Sequence, residues 1–138
     1  MADEDYEPVV DDEYIYRRIP ASKGWYDPAT RTLSPEAFNP IKTDITGLSV
    51  TRAKFATIEE AARGKSQSGY YVAVLRVGDL RKHGIDVIHK PLEGNPGHAE
   101  IPGLIYQKET TNQAKEWKVL LAHKLTLRVE GPFIPSTT

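Results

Sequence analysis

Several segments of the chain have the residue pattern of β-strands, in which successive side chains point to opposite faces. Residues 14–19, 47–52 and 85–89 place most of their aliphatic side chains on one face. Residues 70–77 are apolar on both faces and rich in β-branched side chains, which is typical of a strand in the middle of a covered sheet. Residues 97–103 form a shorter extended piece between glycine residues. These segments predict a sheet.

Helix-starting residues mark shorter segments between the strands. Thr57 and Glu60 have the spacing of a capping box, in which each side chain accepts a backbone N–H at the start of a helix. We therefore predict a helix over residues 57–63. Single helical turns are predicted at residues 34–38, where a serine precedes a proline, and at residues 79–83, where an aspartate can cap the first turn.

Residues 110–129 fit two periods. Apolar residues recur at helical spacing in the first part, while a two-residue alternation continues into the second part. The polar start favours a helix over residues 110–122, and we expect a strand over residues 125–129. Together the segments predict a single α+β domain over residues 14–130, with a mixed sheet of about five or six strands and two or three helices.

Charge is distributed unevenly along the chain. The first thirteen residues contain seven acids and no lysine or arginine, whereas residues 14–138 contain 18 basic and 12 acidic residues, a formal charge of +6. We predict that residues 1–13 form a disordered, solubilising acidic arm, because blocks of like charge at a terminus resist folding. In the alternative, the arm masks a basic surface for nucleic acid or phosphate ligands. Residues 131–138 are predicted to be a loose tail.

Composition excludes several classes of function. The chain has no cysteine, which removes disulfides, thiolate metal sites and cysteine nucleophiles. No run of about 18 apolar residues could cross a bilayer and the N-terminus lacks the features of a secretion signal, so we expect a cytoplasmic protein with no membrane contact. The four histidines share no metal-ligand spacing, so we predict no metal. A nucleic-acid partner is not expected, because only residues 14–18 interleave aromatic and basic side chains.

Arg17 is the most unusual residue of the first predicted strand. The strand period places it on the same face as Ile15 and Ile19, where a core residue is expected. Burying a guanidinium is costly unless an anion meets it. The position therefore predicts either a ligand phosphate or an internal acid such as Asp44 beside Arg17.

Ser49, His98 and Glu100 lie in extended segments that a sheet could bring near Arg17. An arginine can hold a diphosphate, a serine hydroxyl can orient a sugar, and a carboxylate can stabilise positive charge at an anomeric carbon. These are the requirements of ADP-ribosyl transfer. We therefore assign Ser49, His98 and Glu100 as candidate catalytic residues and Arg17 as the candidate cofactor-binding residue. A Ser-His-acid hydrolase using Ser49 or Ser34 with His98 is an alternative that lacks the Gly-x-Ser-x-Gly motif.

Four short motifs within residues 14–105 resemble a family of small bacterial proteins of uncharacterised function: Tyr-Arg-Arg-Ile-Pro at 16–20, Ser-Pro-Glu-Ala-Phe at 34–38, Gly-Leu-Ser-Val at 47–50 and Asn-Pro-Gly-His-Ala at 95–99. The order of an arginine strand, a serine-bearing strand and a later glutamate is also similar to ADP-ribosyltransferase-like (RES-type) domains. This second resemblance implies Arg17 at the nucleotide phosphates, Ser49 in the second strand and Glu100 as the catalytic acid. His98 stands where those domains carry Gln or Glu, two residues before the acid.

Two functions follow as expectations. The first is an NAD-dependent, ADP-ribosyltransferase-like enzyme of the bacterial cytoplasm. The second is a non-catalytic protein-binding module, such as an accessory or neutralising partner in a two-gene system, which uses its loops and arm for contact. An enzyme would gather Arg17, Ser49, His98 and Glu100 around one pocket, whereas a binding module would expose a sizeable apolar or charged patch.

Overall fold

A computed structural model describes residues 8–135 as one α+β domain, which confirms the predicted fold class. The strands are, in chain order, β1 (Tyr14–Pro20), β2 (Tyr26–Asp27), β3 (Thr32–Leu33), β4 (Gly47–Arg52), β5 (Tyr70–Arg76), β6 (Ile88–His89), β7 (His98–Pro102) and β8 (Thr126–Phe133). Six of them form one sheet in the order β6-β7-β4-β1-β5-β8, and every pairing in it is antiparallel. The short strands β2 and β3 pair with each other.

The helical elements are short. Within residues 8–135 there are three α-helices, α1 (Ile58–Ala61), α2 (Val77–Arg81) and α3 (Asn112–Leu120). Two 3-10 turns, Ala21–Lys23 and Pro35–Phe38, lie between strands, and a π turn, Leu121–Leu125, continues α3. In the part of the chain that the structure describes, no helix has the length and apolar content needed to cross a membrane.

The predicted capping box starts α1. The backbone N–H of Glu60 donates to the Thr57 hydroxyl at 3.1 Å, and the backbone N–H of Thr57 donates to the Glu60 carboxylate at 2.8 Å. Each bond satisfies an N–H that the first turn of a helix leaves without a partner. This local prediction is confirmed, although the helix ends at Ala61 rather than at residue 63.

One face of the six-stranded sheet carries the main core. Adjacent strands bring fully buried side chains into register on this face, with Ile15 opposite Leu75 and Leu48 opposite Ile101. The buried residues of α3, of its π turn and of the 3-10 turn at Pro35–Phe38 belong to the same apolar cluster. The opposite face has a smaller cluster beneath α1.

Two arginines share the core face with these apolar residues. Arg17 lies opposite Ala73 on β5, and Arg52 lies opposite Ile15 on β1. β1 pairs with β4 over only two residue pairs, at the Arg52 end, although it pairs with β5 along its whole length. The Arg17 side chain stands beyond this short ladder, where backbone carbonyls of β4 need other donors.

Residues 8–13 of the predicted acidic arm pack against the domain. Val9 is buried, and Asp11, Asp12 and Glu13 form ion pairs with three different arginines. These pairs are Asp11 with Arg81, Asp12 with Arg76 and Glu13 with Arg52. The rest of the arm, residues 1–7, and the end of the predicted tail, residues 136–138, lie outside the described residues.

Other predicted elements also differ in their bounds from the observed ones, and β8 continues to Phe133, beyond the predicted end at residue 129. α2 begins at Val77, directly after β5, and not at residue 79. Its first amides are satisfied from the N-terminal segment, since the N–H of Val77 donates to the Glu13 carbonyl at 2.9 Å and that of Gly78 to the Asp11 carbonyl at 2.8 Å. The strand predicted over residues 85–89 is reduced to Ile88–His89.

Candidate functional site

Ser49 lies at the centre of a cluster of polar residues on β4 and β7. The two strands place Ser49 opposite Glu100 and Thr51 opposite His98, so the four side chains share one face. The approach of the strands is close, because a Cβ at Gly47 would lie 2.8 Å from the carbonyl oxygen of Ile101. This register brings Ser49 and His98 together, although they are far apart in sequence.

The Ser49 hydroxyl contacts two side chains. It lies 3.0 Å from Oδ1 of Asp44 and 3.1 Å from Nε2 of His98. The other ring nitrogen of His98, Nδ1, lies 2.7 Å from the carbonyl oxygen of Lys90, which can only accept a hydrogen bond. Asp44 and His98 are both buried. Nδ1 of His98 therefore carries a proton, and its Nε2 atom faces the serine.

Arg17 turns inward as its strand position predicts. Its guanidinium donates to three main-chain carbonyl oxygens: Ala37 at 2.9 Å, Ser49 at 2.9 Å and Asn39 at 3.4 Å. Burial lowers the pKa of Arg17 to about 10, an effect that Asp44 opposes and Arg18 reinforces. Arg17 therefore stays charged at neutral pH. NAD-dependent transfer, which needs this guanidinium to hold a diphosphate, stays a prediction.

Glu100 is placed beside Ser49 by the ladder, but its carboxylate is bonded elsewhere. Its Oε1 atom accepts a hydrogen bond from the Thr46 hydroxyl at 2.6 Å. The other three candidate residues are thus all neighbours of Ser49, each in a different way. His98 contacts the serine side chain, Arg17 contacts the serine carbonyl, and Glu100 is its neighbour across the ladder.

The Ser49 contacts have the form of an activated nucleophile. A serine becomes nucleophilic when a base accepts its proton and a third group holds that base in position. Nε2 of neutral His98 can accept the Ser49 proton, and the Lys90 carbonyl holds the ring through Nδ1. Asp44 competes for the same hydroxyl hydrogen.

Arg52 forms a second polar cluster, which the sequence analysis did not single out. Its side chain is fully buried and forms two bonds with the carboxylate of Glu13, at 2.8 and 2.7 Å. The guanidinium also lies over the Phe55 ring and donates to Nδ1 of His89 at 3.1 Å. The strand period that marked Arg17 also applied here, because it places Arg52 on the same face as Leu48 and Val50.

Two neighbouring loops expose apolar side chains next to the Ser49 cluster. The loop at 39–46 leads into β4, the loop at 103–107 follows β7, and the N–H of Tyr106 joins them by donating to the Asp44 carbonyl at 2.9 Å. We call their four exposed apolar residues the loop patch: Ile41, Ile45, Ile105 and Tyr106. Ile45 is 76% exposed, which is unusual for so large an apolar side chain.

The surface formed by residues 8–135 includes the following two cavities. The first, of about 230 Å³, adjoins the loop patch and includes Ile105, Tyr106 and the half-buried Lys118 in its lining. The second, of about 450 Å³, lies between the α1 region and the end of β8, with both Glu59 and Arg63 in its lining. Within residues 8–135, no three acidic or histidine side chains are grouped so as to hold a metal ion.

Comparison of the chain with models of protein families, with curated proteins and with solved structures found no match. No family's catalytic or binding residues can therefore be carried over to this chain. The resemblances drawn from short motifs stay predictions, and a function has to follow from the contacts of the residues themselves.

Proposed function

We propose that this protein is a protein-binding module and that the loop patch is its contact surface. The observation that carries the proposal is the pairing of two loops, joined by the Tyr106–Asp44 backbone bond, that expose Ile41, Ile45, Ile105 and Tyr106. Large apolar side chains grouped on a surface are typical of protein-interaction sites. An accessory or neutralising partner in a two-gene system would use a surface of this kind.

Hydrogen bonds fix the turn that carries Ile41 and join it to β4. The N–H of Ile41 donates to the Asp44 carboxylate at 2.8 Å and the N–H of Asp44 donates to the Ile41 carbonyl at 2.8 Å, so residues 41–44 form a closed turn. Asp44 in turn lies with Oδ1 3.0 Å from the Ser49 hydroxyl of β4. Because the loop is already held in place, little conformational entropy is lost when a partner binds. On this proposal the Ser49 cluster positions the binding loop.

Substitution of the most exposed patch residue tests the proposal. We expect Ile45→Asp to release a protein partner, because a carboxylate in an apolar interface is desolvated without a counter-charge. Leu92→Asp is the matched control, since Leu92 is also an exposed loop residue, 55% accessible, and lies beyond the opposite end of β7. The first partner to assay is the product of a neighbouring gene, by co-expression and isothermal titration.

The expected result is binding to the wild-type protein and to Leu92→Asp, with binding to Ile45→Asp weakened by at least about tenfold. Circular dichroism and urea unfolding check that both variants are folded. Equal affinity for the wild-type protein and Ile45→Asp would overturn the loop patch as the contact surface.

A second candidate function, nucleophilic catalysis by Ser49, is favoured by the His98 geometry. In such a step Ser49 Oγ would form a bond to an electrophilic carbon or phosphorus, its proton would pass to Nε2 of His98, and the leaving group would depart with that proton. A fluorophosphonate probe tests this candidate by mass spectrometry. Labelling at Ser49 that disappears in His98→Asn supports catalysis, and an unlabelled Ser49 in the folded protein rejects it.

A further inference from the structure

The cavity beside the loop patch has one cationic residue in an otherwise neutral lining. Ala114 and Lys118 lie four residues apart on α3, and Thr110 continues the same row just before the helix. The loops supply Asn39 and Gln107 on the other side. Among the residues that line the cavity there is no aspartate or glutamate. A single positive charge therefore faces a space of about 230 Å³.

The Lys118 ammonium has donors to spare. Its Nζ atom donates to the Asn39 side-chain oxygen at 2.7 Å, and no carboxylate of the described residues lies within 4 Å of it. Burial and the neighbouring Lys115 lower the pKa of Lys118, and Glu36 opposes them. An ammonium has three hydrogens, and a neutral amide oxygen is a weaker partner for it than a carboxylate. The cation is thus placed to gain from an anionic ligand.

Apolar and polar groups stand close together in the same cavity. Pro40, Ile105 and Ala114 offer apolar surface, while Gln107 and Thr110 offer hydrogen-bonding groups. A ligand that fits needs one negative charge, an apolar group next to it and a polar backbone. A C-terminal apolar residue of a peptide has all three on one Cα atom. In an Asp or Glu residue the carboxylate stands at the end of the side chain, so that residue has no apolar group next to its charge. A phosphate dianion is better matched by several cations than by one lysine.

We propose that this cavity receives the C-terminus of a partner protein, with the terminal carboxylate on Lys118 and the last apolar side chain against Ile105 and Pro40. The inference rests on the proposed function, because the preceding residues of the partner would lie across the loop patch. Capture of a terminal carboxylate by clustered hydrogen-bond donors, commonly backbone N–H groups, is a recurring mode of peptide recognition.

Short peptides test the inference without the partner protein. The probes are Ac-Ala-Ala-Ala-Leu with a free carboxylate, the same peptide as an amide, Ac-Ala-Ala-Ala-Glu as an amide, and inorganic phosphate. Binding is followed by ¹⁵N-resolved NMR shifts at Gln107 and Thr110. We expect the free acid to bind at least about tenfold more tightly than its amide, because only the acid forms a charge-assisted bond with Lys118.

Two lysine variants make the test specific. Lys118→Gln should remove the preference for the acid over the amide, whereas Lys115→Gln, an exposed lysine on the same helix, should keep it. Urea unfolding confirms that both variants are folded. Equal binding of acid and amide to the wild-type protein, tighter binding of the Glu amide or of phosphate, or no binding of any probe would overturn the inference.

The outcome is separable from that of the proposed function. The ratio of acid to amide affinity depends on Lys118, and release of the whole partner depends on Ile45. A tenfold ratio that is lost in Lys118→Gln supports the carboxylate site even if Ile45→Asp still binds the partner. A ratio of one overturns the site even if Ile45→Asp releases the partner.

Discussion

Ser49 and His98 lie on adjacent antiparallel strands, with the serine Oγ atom 3.1 Å from Nε2 of the histidine. Ser49 has one hydroxyl hydrogen and two possible acceptors, Asp44 and His98. If it donates to Asp44, Nε2 of His98 must donate to the serine, and the ring is then an imidazolium. If it donates to Nε2, the ring is neutral. The hydrogen bonding of Ser49 is thus coupled to the protonation of His98.

The first prediction concerns the tautomers of the two buried histidines. Neutral His98 carries its proton on Nδ1, because that atom faces the Lys90 carbonyl. Neutral His89 carries its proton on Nε2, because its Nδ1 accepts from Arg52, a side chain that only donates. Long-range ¹H–¹⁵N correlation spectra distinguish the two forms. Two histidines with the same tautomer would contradict the contacts described for one of them.

The second prediction is that Arg17 stabilises the fold. Arg17→Met should lower the free energy of unfolding by about 3 kcal/mol or more, because three backbone carbonyls lose their charged donor. The control is Arg128→Met, since the Arg128 side chain is 57% exposed and its ion pair with Glu130 lies at the surface. Urea unfolding measures both changes.

The same variant addresses NAD binding. A ligand that binds the folded protein raises its melting temperature. If Arg17 anchors the nucleotide phosphates, NAD or ADP-ribose should raise the melting temperature of the wild-type protein, and Arg17→Met should keep its stability while losing that rise. Destabilisation of Arg17→Met with no ligand-induced rise in either protein would leave Arg17 with a structural role only.

The strands and caps that depend on local sequence could be predicted. β1 and β4 follow the strand period of their own residues, β5 follows from its continuous apolar and β-branched run, and the 3-10 turn at Pro35–Phe38 follows from the Ser34 cap. α2 was placed two residues late because its first amides are satisfied by carbonyls of residues 11 and 13. Such long-range acceptors leave no signal in the local sequence.

The candidate site could be predicted only in part, because its strand positions follow from local sequence but its long-range contacts do not. The inward side of β1 follows from its period, so the orientation of Arg17 was predicted correctly. Its partners are backbone carbonyls, which every residue has, and a sequence cannot show which of them lack a ladder partner. The loop patch was also not identifiable, because Ile41 and Ile45 resemble core residues until the burial of each side chain is known.

The third prediction concerns the buried ion pair of Glu13 and Arg52. Glu13→Gln should lower the free energy of unfolding by about 3 kcal/mol, because the fully buried Arg52 side chain would lose the two charge-assisted bonds that it forms with the Glu13 carboxylate. Asp12→Asn is the matched control in the same segment, since the Asp12 side chain is 92% exposed in its pair with Arg76. We expect this control to change stability far less.

Chemical denaturation at neutral pH compares these two variants. A large loss of stability in Glu13→Gln with little change in Asp12→Asn would show that the buried pair fixes the segment around residue 13 to the domain. The total negative charge of the segment would then not be what fixes it. Equal losses in the two variants would contradict that conclusion. An unchanged Glu13→Gln would mean that the other contacts of Arg52 are sufficient.

The fourth prediction concerns the effect of pH on the start of α1. The pKa of the Glu60 carboxyl lies below its ordinary value of 4.5. The hydrogen bond from the Thr57 backbone N–H makes the largest contribution to this lowering, and the Thr57 hydroxyl acts in the same direction. A carboxyl whose pKa is lower in the folded state stabilises the protein above its unfolded pKa, and this contribution is lost as the pH falls through the folded pKa. Glu60→Ala should therefore be less stable than the wild-type protein at pH 7, and the difference should shrink below pH 4.5.

Urea unfolding of both proteins from pH 7 down to about pH 3 measures this difference in the free energy of unfolding. Glu59→Ala, a change in the same turn at a carboxylate outside the capping box, is the control. If the difference for Glu60→Ala stayed constant across the acid range, the carboxylate charge would have no part in the capping box.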